Sequence, residues 1–301
     1  MVDNFEITEL WKSLFLNITF CIRIPKHYVQ NVGRGTVPGA YDRSRKSAVV
    51  RSISSNYSKA LSSYFGTKTP NQEEAIGSHN AYVTALRAHG TEVTVLPELP
   101  DFPDSCFVED TAVMVDGKAI IPNMGHPTRE GEQQAVMDHM SNFTEIVRMP
   151  KGAKLDGGDI VFFDDRYLVG ISTRTNKEGA DFLSTFIKED GYDVELINVP
   201  ETTLHLTTVC SSPREGTIIA AEGHLKENQI SHFAEEIIWI PNNESYASNT
   251  IGYSNDRLIV AGGFPKTKNI LQNEGFRLMS VDMNPIMQAD GSLTCLSVFT
   301  S

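Results

Sequence analysis

A chain of 301 residues with 40% hydrophobic and 21% charged residues is long enough for one large or two modest globular domains. Its formal net charge of -12 disfavours nucleic acid and anionic membranes as main partners, because both attract basic surfaces. The same charge favours a small cationic ligand.

Targeting signals and disulfides are not predicted. The apolar run at 14–22 follows an acidic start and includes Asn17 and Thr19, so it resembles neither a signal peptide nor a membrane span. The four cysteines form no C-x-x-C pair and have no regular disulfide spacing. We therefore expect a cytoplasmic protein in a reducing environment.

The N-terminal part of the chain contains one β-rich run, Ile18–Ile24, which ends before Pro25. The segment 33–69 is rich in serine, arginine and glycine and predicts a surface insertion or a lid, although disorder remains an alternative. No linker divides the remainder, so residues 1–301 are predicted to form a single catalytic domain.

A regular order of strand, strand, helix and strand begins near Glu92. In each repeat a turn-rich segment precedes a short second strand. The third strand ends before a proline, which has no backbone N–H to donate to a neighbouring strand. One connecting helix is predicted at 177–190, before Gly191. The second strands are predicted at 119–121, 167–169, 217–219 and 258–260, and the third at 93–96, 145–148, 194–197 and 237–240.

The last unit begins at Leu293 and lacks a partner strand before Ser301. We predict that Ile18–Ile24 supplies that strand, so that the repeats close into a ring without open sheet edges.

Each repeat contains a similar short segment in which one position is polar, and the residue type at that position differs from one repeat to the next. The steps between its members are 47, 49, 44 and 46 residues. If the repeats form a ring, these side chains converge on its axis and combine a thiol, an imidazole and carboxylates in one nucleophilic site. The members of this series are Glu109, Asp156, His205, Asn249 and Cys295.

Cys295 and His205 are the candidate nucleophile and proton carrier. Taken alone, each is more often a buried core residue, and Cys295 lies among apolar neighbours that suit a strand. Their shared repeat position favours the catalytic interpretation. The acids near the axis, Asp110 among them, match the N–H groups of a guanidinium. They would also raise the pKa of the thiol, so a bound guanidinium would activate it.

Several motifs resemble those of the dimethylarginine dimethylaminohydrolase family, within the amidinotransferase and arginine deiminase superfamily. The resemblance extends from Ser78 onward and implies a five-bladed pseudo-symmetric α/β propeller (pentein) of ββαβ repeats. The motifs lie at 79–82, 103–113, 155–159, 174–176, 204–206, 261–267 and 290–297.

The resemblance also implies a role for each matched residue. Cys295 would be the nucleophile, His205 the general acid and base, and Asp156 the carboxylate that orients the histidine. Arg129 and Arg174 would hold the amino-acid end of the substrate. The guanidinium would be bound by Asp104, Glu109 and Asp110, with Glu109 also counted among the catalytic residues, and the remaining substrate contacts would come from Ala289 and Val32.

The implied reaction is hydrolysis of methylated arginine to citrulline and an amine through a covalent cysteine thiouronium intermediate, without metal or cofactor. Thr207 and Glu130 stand where the family commonly has basic residues, which leaves the substrate preference open. Arginine deiminase chemistry and a catalytically silent binding protein on the same fold are the alternatives. A homodimer remains possible from the sequence. The spacing of the cysteine and histidine residues disfavours a structural zinc site, although an inhibitory zinc ion could bind at Cys295 and His205.

Overall fold

The computed structural model describes Arg43 and residues 45–301, and within this range every sheet has three strands. In each sheet the central strand pairs antiparallel with one neighbour and parallel with the other. The strands are β1 (Ser47–Arg51), β2 (Glu92–Leu96), β3 (Val113–Val115), β4 (Lys118–Ile121), β5 (Glu145–Arg148), β6 (Ile160–Phe163), β7 (Arg166–Ile171), β8 (Asp193–Asn198), β9 (Cys210–Arg214), β10 (Thr217–Ala221), β11 (Glu236–Ile240), β12 (Ile251–Tyr253), β13 (Arg257–Ala261), β14 (Arg277–Val281) and β15 (Val298–Phe299).

A helix connects the central strand of each sheet to the parallel outer strand, because a parallel pair requires a crossover connection. The helices are α1 (Gln72–Ala88), α2 (Gln133–Met140), α3 (Lys177–Glu189), α4 (Glu227–Ile230) and α5 (Pro265–Asn273), and a sixth short helix, α6 (Asn284–Met287), follows β14. The predicted second and third strands of the repeats and the helix at 177–190 are confirmed to within two residues at their ends. The ββαβ repeat and the five-bladed propeller are therefore confirmed.

The fifth sheet joins the two ends of the described chain. Its order is β15-β1-β2, and Ala48 and Val49 pair with Phe299 and Val298 in antiparallel register. Pairing between the last strand and the first described strand closes the series of sheets and removes two open edges.

The prediction that Ile18–Ile24 completes this sheet is wrong, because Ser47–Arg51 occupies that position. Ile18–Ile24 lies outside the described residues. The prediction of an insertion at 33–69 is also wrong for residues 47–51, which form an almost wholly buried strand. Three consecutive apolar residues were too weak a local signal, and pairing with β2 and β15 determines the strand instead.

Apolar side chains fill the spaces between neighbouring repeats. One cluster joins Val113 of β3 and Ile120 of β4 to Tyr167 and Val169 of β7, beneath Leu183 of α3. Every residue of β10 is buried, as expected for a central strand covered on both faces. Among residues 43 and 45–301, no helix has both the length and the apolar character needed to cross a bilayer.

Candidate active site

The polar repeat positions lie in short segments that precede the first strand of each sheet, rather than on the strands themselves. Three of these segments are 3-10 turns that contain or directly follow a predicted site residue, at Val108–Thr111, Gly157–Asp159 and Thr294–Leu296. A fourth turn, Asn242–Ser248, ends just before Asn249. The repeat seen in the sequence therefore corresponds to one structural position in successive blades.

Hydrogen bonds connect these segments in a closed circuit, so that each blade is tied to the next at the axis. This circuit confirms the convergence that the repeat predicted. It runs from Gly158 N to Asp110 Oδ1 (3.0 Å), from Thr207 N to Gly158 O (2.9 Å), from Asn249 Nδ2 to Thr207 O (2.7 Å), from Thr294 N to Asn249 Oδ1 (3.1 Å) and from Thr294 Oγ1 to Glu109 Oε2 (2.9 Å).

Cys295 and His205 line one cavity, although 90 residues of chain separate them. Both side chains are buried, with 6% and 2% of their surface exposed. The cavity contains about 330 Å³ of empty space, part of it open to solvent. Its other lining residues are Leu61, Asp104, Phe107, Asp110, Arg129, Arg174, Leu204, Ala289, Asp290 and Gly291.

His205 is held by acids from two neighbouring segments. Its Nε2 donates to Asp156 Oδ2 at 3.1 Å, and its Nδ1 lies 3.8 Å from Asp110 Oδ1 without a hydrogen bond. Burial disfavours the charged imidazolium, but Asp110, the hydrogen bond to Asp156 and the charge of Asp159 raise the pKa of His205 to about 9. The imidazole is therefore protonated at neutral pH and can act as an acid.

The thiol of Cys295 is held in its neutral form. Burial is the largest cause of its raised pKa, and the carboxyl groups of Glu109 and Asp110 raise the pKa further. The sequence predicted the effect of the acids but not the larger effect of burial. Cys106 and Cys210 are buried in apolar clusters, as expected for core residues.

Glu109 has a different position from the other predicted acids. Its Oε2 accepts hydrogen bonds from Thr294 at 2.9 Å and Thr207 at 3.4 Å. It lines a second, larger cavity of about 980 Å³ that extends along the first strands of the sheets and is lined by neither Cys295 nor His205. Burial and the neighbouring Asp110 raise the pKa of Glu109 to about 8. Because the predicted nucleophile Cys295 lines the smaller cavity and not the larger one, the smaller one is the candidate catalytic cavity.

The two predicted arginines line the catalytic cavity and pair with acids of the site. Arg129 is buried and binds Asp110, Glu132 and the backbone oxygen of Phe107. Arg174 NH1 donates to Asp156 Oδ2 at 3.1 Å. Burial opposes ionisation of Asp156, but the bond from His205 and the charges of His205, Arg129 and Arg174 lower its pKa well below the usual range.

Comparison with known proteins agrees with this geometry. The family model described as N,N dimethylarginine dimethylhydrolase, eukaryotic, matches residues 55–298. The N(G),N(G)-dimethylarginine dimethylaminohydrolase of Pseudomonas aeruginosa is 32% identical over 231 residues, covering 76% of this chain and 89% of that protein. The enzyme of the same name from Streptomyces coelicolor is 29% identical and covers 84% of this chain and 96% of its own.

The chain belongs to the dimethylarginine dimethylaminohydrolase family. A solved structure of the Pseudomonas aeruginosa protein, a cysteine-to-serine variant complexed with citrulline, superposes with a TM-score of 0.78 at 30% identity, over 84% of this chain and 98% of that one. The N-terminal domain of a cyanobacterial arginine dihydrolase superposes with a TM-score of 0.76 at 15% identity, covering 85% of this chain and 97% of that domain, and supports the fold alone.

The lining of the cavity in this family member includes one residue, Leu61, that the sequence did not predict. Val32, predicted to contact the substrate, lies outside the described residues. The Leu61 backbone N–H donates to Asp104 Oδ1 at 3.0 Å, and burial raises the pKa of Asp104. Ala289 lies on the cavity wall, as predicted. The signal for Leu61 was hidden because this part of the chain looked like an insertion.

The covering segment 61–68 is fastened by two side chains next to Ala289. Asp290 accepts backbone hydrogen bonds from four consecutive residues, 63–66, and Gln288 Oε1 accepts from the N–H groups of Thr67 and Lys68. Asp290 adopts a left-handed backbone conformation with φ of 58°. Within the predicted lid, Leu61 therefore lines the cavity, and the residues that follow it are held by backbone hydrogen bonds to Asp290 and Gln288.

Among the described residues, three side chains could together hold a metal ion, namely Asp110, Asp156 and His205, whose ligand atoms lie within 4.8 Å of one another. Two of these acids already pair with arginines, and this positive charge disfavours a second cation.

The Gly157-Gly158 pair is required by close approach between blades. A Cβ at position 157 would overlap the backbone oxygen of Glu109, and one at 158 would lie 2.7 Å from His205 Nδ1. We expect Gly157→Ala to lower the free energy of unfolding by about 1–3 kcal/mol, because rigid backbone must shift. Chemical denaturation measures this change.

Gly77→Ala is the matched control for that variant. Gly77 lies inside α1, and a Cβ there meets nothing within 4 Å. Alanine should stabilise the helix by about 0.5–1 kcal/mol. Equal stability of the two alanine variants would contradict the close packing of the blades at the axis.

Proposed function

We propose that this protein hydrolyses methylated arginine to citrulline and dimethylamine or methylamine, through a covalent thiouronium on Cys295. The observation that carries the proposal is the single cavity lined by Cys295 and His205, with acids and arginines around them. A nucleophile beside a proton carrier that is itself oriented by a carboxylate is the arrangement that covalent catalysis requires.

The cavity is lined by both acids and arginines, which match the positively charged guanidinium and the negatively charged carboxylate of an arginine-like substrate. Asp104 and Asp110 offer carboxylate oxygens to the guanidinium, which can donate two parallel hydrogen bonds. Arg129 and Arg174 are assigned to the carboxylate end of the substrate. Arg174 is the more accessible of the two, with 12% of its side chain exposed against 4% for Arg129. The substrate carboxylate would then compete with Asp156 for Arg174.

The first chemical step forms a carbon–sulfur bond. When the guanidinium binds, the Cys295 thiol loses its proton to solvent; the thiolate attacks the central guanidinium carbon, and the bond from that carbon to the methylated nitrogen breaks. His205, protonated at neutral pH, supplies the proton that turns the departing group into a neutral amine. Asp156 fixes the ring through its hydrogen bond to Nε2.

The second step returns the enzyme to its starting state. His205, now neutral, accepts a proton from water, and the resulting oxygen nucleophile attacks the thiouronium carbon. The carbon–sulfur bond breaks and its electron pair returns to sulfur, while the proton of the added hydroxyl group passes to that sulfur as the citrulline carbonyl forms, and citrulline is released. The reaction consumes one water molecule and needs no redox cofactor.

Substrate binding is expected to activate the thiol. The acids that hold the pKa of Cys295 high would be neutralised by an incoming guanidinium, which favours the thiolate at the moment of attack. Glu109 contributes to this coupling, because its charge acts on the sulfur and its own raised pKa of about 8 would fall beside a bound cation. A thiolate absorbance that titrates identically with and without ligand would contradict this hypothesis.

The test of the function is a citrulline assay with three substrates: asymmetric dimethylarginine, monomethylarginine and arginine. We expect turnover of the methylated substrates, with dimethylamine or methylamine formed in equal amounts to citrulline. Turnover of arginine alone would assign the protein to deiminase chemistry. Binding of all three without turnover would favour a silent binding protein, an interpretation that the retained Cys295, His205 and Asp156 argue against.

Release of the covering segment gives a separate prediction. Asp290→Ala removes the acceptor of four backbone N–H groups and places alanine at an unfavourable φ of 58°. We expect KM for the methylated substrate to rise about tenfold, equivalent to about 1.4 kcal/mol, with a smaller change in kcat. Asp290→Asn keeps one oxygen acceptor and tolerates the left-handed conformation, so its KM should lie between that of the wild type and that of Asp290→Ala.

Limited proteolysis supplies the structural readout for the same variants. Cleavage within 61–68 should be faster in Asp290→Ala than in the wild type, because the segment loses its anchor. An unchanged KM together with faster cleavage would show that the segment does not contribute to substrate binding.

A further inference from the structure

Ser292 lies beside the proposed nucleophile, and the roles assigned above do not use it. Its Oγ is 3.3 Å from Cys295 Sγ, within hydrogen-bonding distance for sulfur. Both residues are buried, and Ser292 is 3% exposed. Among the described residues, this hydroxyl has no other side-chain hydrogen bond partner. A buried hydroxyl is therefore directed at the sulfur.

The segment around Ser292 is held in place on both sides, so the contact does not depend on a mobile loop. The Tyr246 hydroxyl donates to Gly291 O at 2.8 Å, and Gly291 N donates to Ile286 O. On the other side, Thr294 N donates to Asn249 Oδ1 at 3.1 Å. Contacts from the 246–249 segment and from α6 thus hold the chain on both sides of the hydroxyl and the sulfur.

The groups around the sulfur mostly oppose its ionisation. Burial is the largest effect, and Glu109 and Asp110 add negative charge, whereas the side chain and the backbone of Ser292 act in the opposite direction on the pKa of Cys295. Tyr246 also lies near enough to interact with the sulfur, and His205 lines the same cavity. Ser292 is therefore placed to assist a thiolate that the other groups disfavour.

We propose that Ser292 is a positioning residue, whose hydroxyl donates a hydrogen bond to the Cys295 sulfur whenever that sulfur carries negative charge. A thiol can either donate or accept in this pair, but a thiolate can only accept, so ionisation fixes the direction of the bond. The inference rests on Cys295 being the proposed nucleophile.

The bond acts at two points in the cycle. Before attack, the hydrogen bond stabilises the thiolate and orients a sulfur lone pair towards the substrate carbon. During attack, that lone pair forms the carbon–sulfur bond, and the hydrogen bond weakens. When the carbon–sulfur bond later breaks, its electron pair returns to sulfur, and the Ser292 hydroxyl again stabilises the leaving thiolate. No proton leaves Ser292 in either step.

The experiment compares Ser292→Ala and Ser292→Gly, which delete the hydroxyl, with Ser292→Thr, which keeps one. Iodoacetamide modification is followed against pH, and the alkylated peptide containing Cys295 is quantified by mass spectrometry. A hydrogen bond to a charged group corresponds to about one pKa unit. We expect each deletion to raise the kinetic pKa of the thiol by about one unit and to slow alkylation about tenfold at fixed pH below it.

Ser297→Ala is the matched control, because Ser297 is buried two residues beyond Cys295 and its hydroxyl pairs with Tyr82 at 2.7 Å instead. Its alkylation profile should match that of the wild type. Ser292→Thr should restore the wild-type profile, and the deletions should lower kcat about tenfold with KM unchanged. An unshifted thiol pKa in both deletion variants, or a threonine variant that behaves like alanine, would overturn the proposal.

Alkylation requires no substrate, which separates this inference from the proposed function. A wild-type protein that forms no citrulline would refute the function and leave the thiol measurement interpretable. Normal citrulline formation with an unshifted thiol pKa in the Ser292 deletions would refute only the role of Ser292. Unfolding midpoints measured for each variant exclude a general loss of structure.

Discussion

Cys295→Ser is expected to lower citrulline formation from dimethylarginine by at least about 10³-fold. An alcohol remains protonated where a thiol beside a bound cation ionises, so the variant loses the attacking group while the cavity keeps its shape. The variant should still bind the substrate, because Asp104, Asp110 and Arg174 are unchanged. Steady-state citrulline assays and calorimetric binding measure the two effects separately.

Cys210→Ser is the matched control for the loss of a buried thiol. Cys210 begins β9 in an apolar cluster, and burial raises its pKa to about 12. It does not line the catalytic cavity, so we expect near-wild-type turnover from this variant. Equal activity of the two serine variants would refute the assignment of the nucleophile.

His205→Gln should lower kcat by about 10²–10⁴-fold. Glutamine fills a similar volume and can still contact Asp156, but it neither donates a proton to the amine nor accepts one from water. In the wild type the pKa of His205 is about 9, so activity that depends on the imidazolium should decline as pH rises through this value. A full pH–rate profile of the wild type and the variant measures both effects.

His79→Gln is the control, since it replaces another buried histidine that does not line the catalytic cavity. His79 lies in α1, and burial lowers its pKa to about 4, so it is neutral in the folded protein. We expect its kcat to match that of the wild type even if stability changes. A loss of kcat comparable to that of His205→Gln would indicate that both variants act through stability.

The two histidines also contribute to stability with opposite dependence on pH. The pKa of His205 is raised, so its contribution is present below about pH 6.5 and is lost as pH rises towards 9. The pKa of His79 is lowered, so its contribution is present above about pH 6.5 and is lost as pH falls towards 4.

The repeat carried most of the information about the fold. Proline-terminated strands and the 44–49-residue spacing of polar residues identified the blades, and the structure confirms their position around one axis. Ser47–Arg51 was missed because its local apolar signal is weaker than that of Ile18–Ile24. A better signal was available, because β2 requires a parallel partner strand that precedes it by one connecting helix. Ala48–Val50 is the apolar run closest to that helix in the sequence, closer than Ile18–Ile24.

The residues of the candidate site were predicted better than their pairings. The motifs identified Cys295 and His205, and the cavity brings them together. The pairing of Arg129 with Asp110 and the separation of Glu109 from the catalytic cavity depend on side-chain packing between different segments, which no local pattern encodes. Leu61 and Ser292 were missed for the same reason, because a leucine and a serine carry no chemical signature of their own.

The most direct test of the covalent mechanism is rapid quenching of the wild-type enzyme during turnover of dimethylarginine, followed by peptide mass spectrometry. The account predicts a transient adduct on the peptide containing Cys295, with the mass of the substrate less that of dimethylamine, which decays as citrulline appears. Citrulline formed while Cys295 stays unmodified at every time point, or an adduct on another residue, would contradict it.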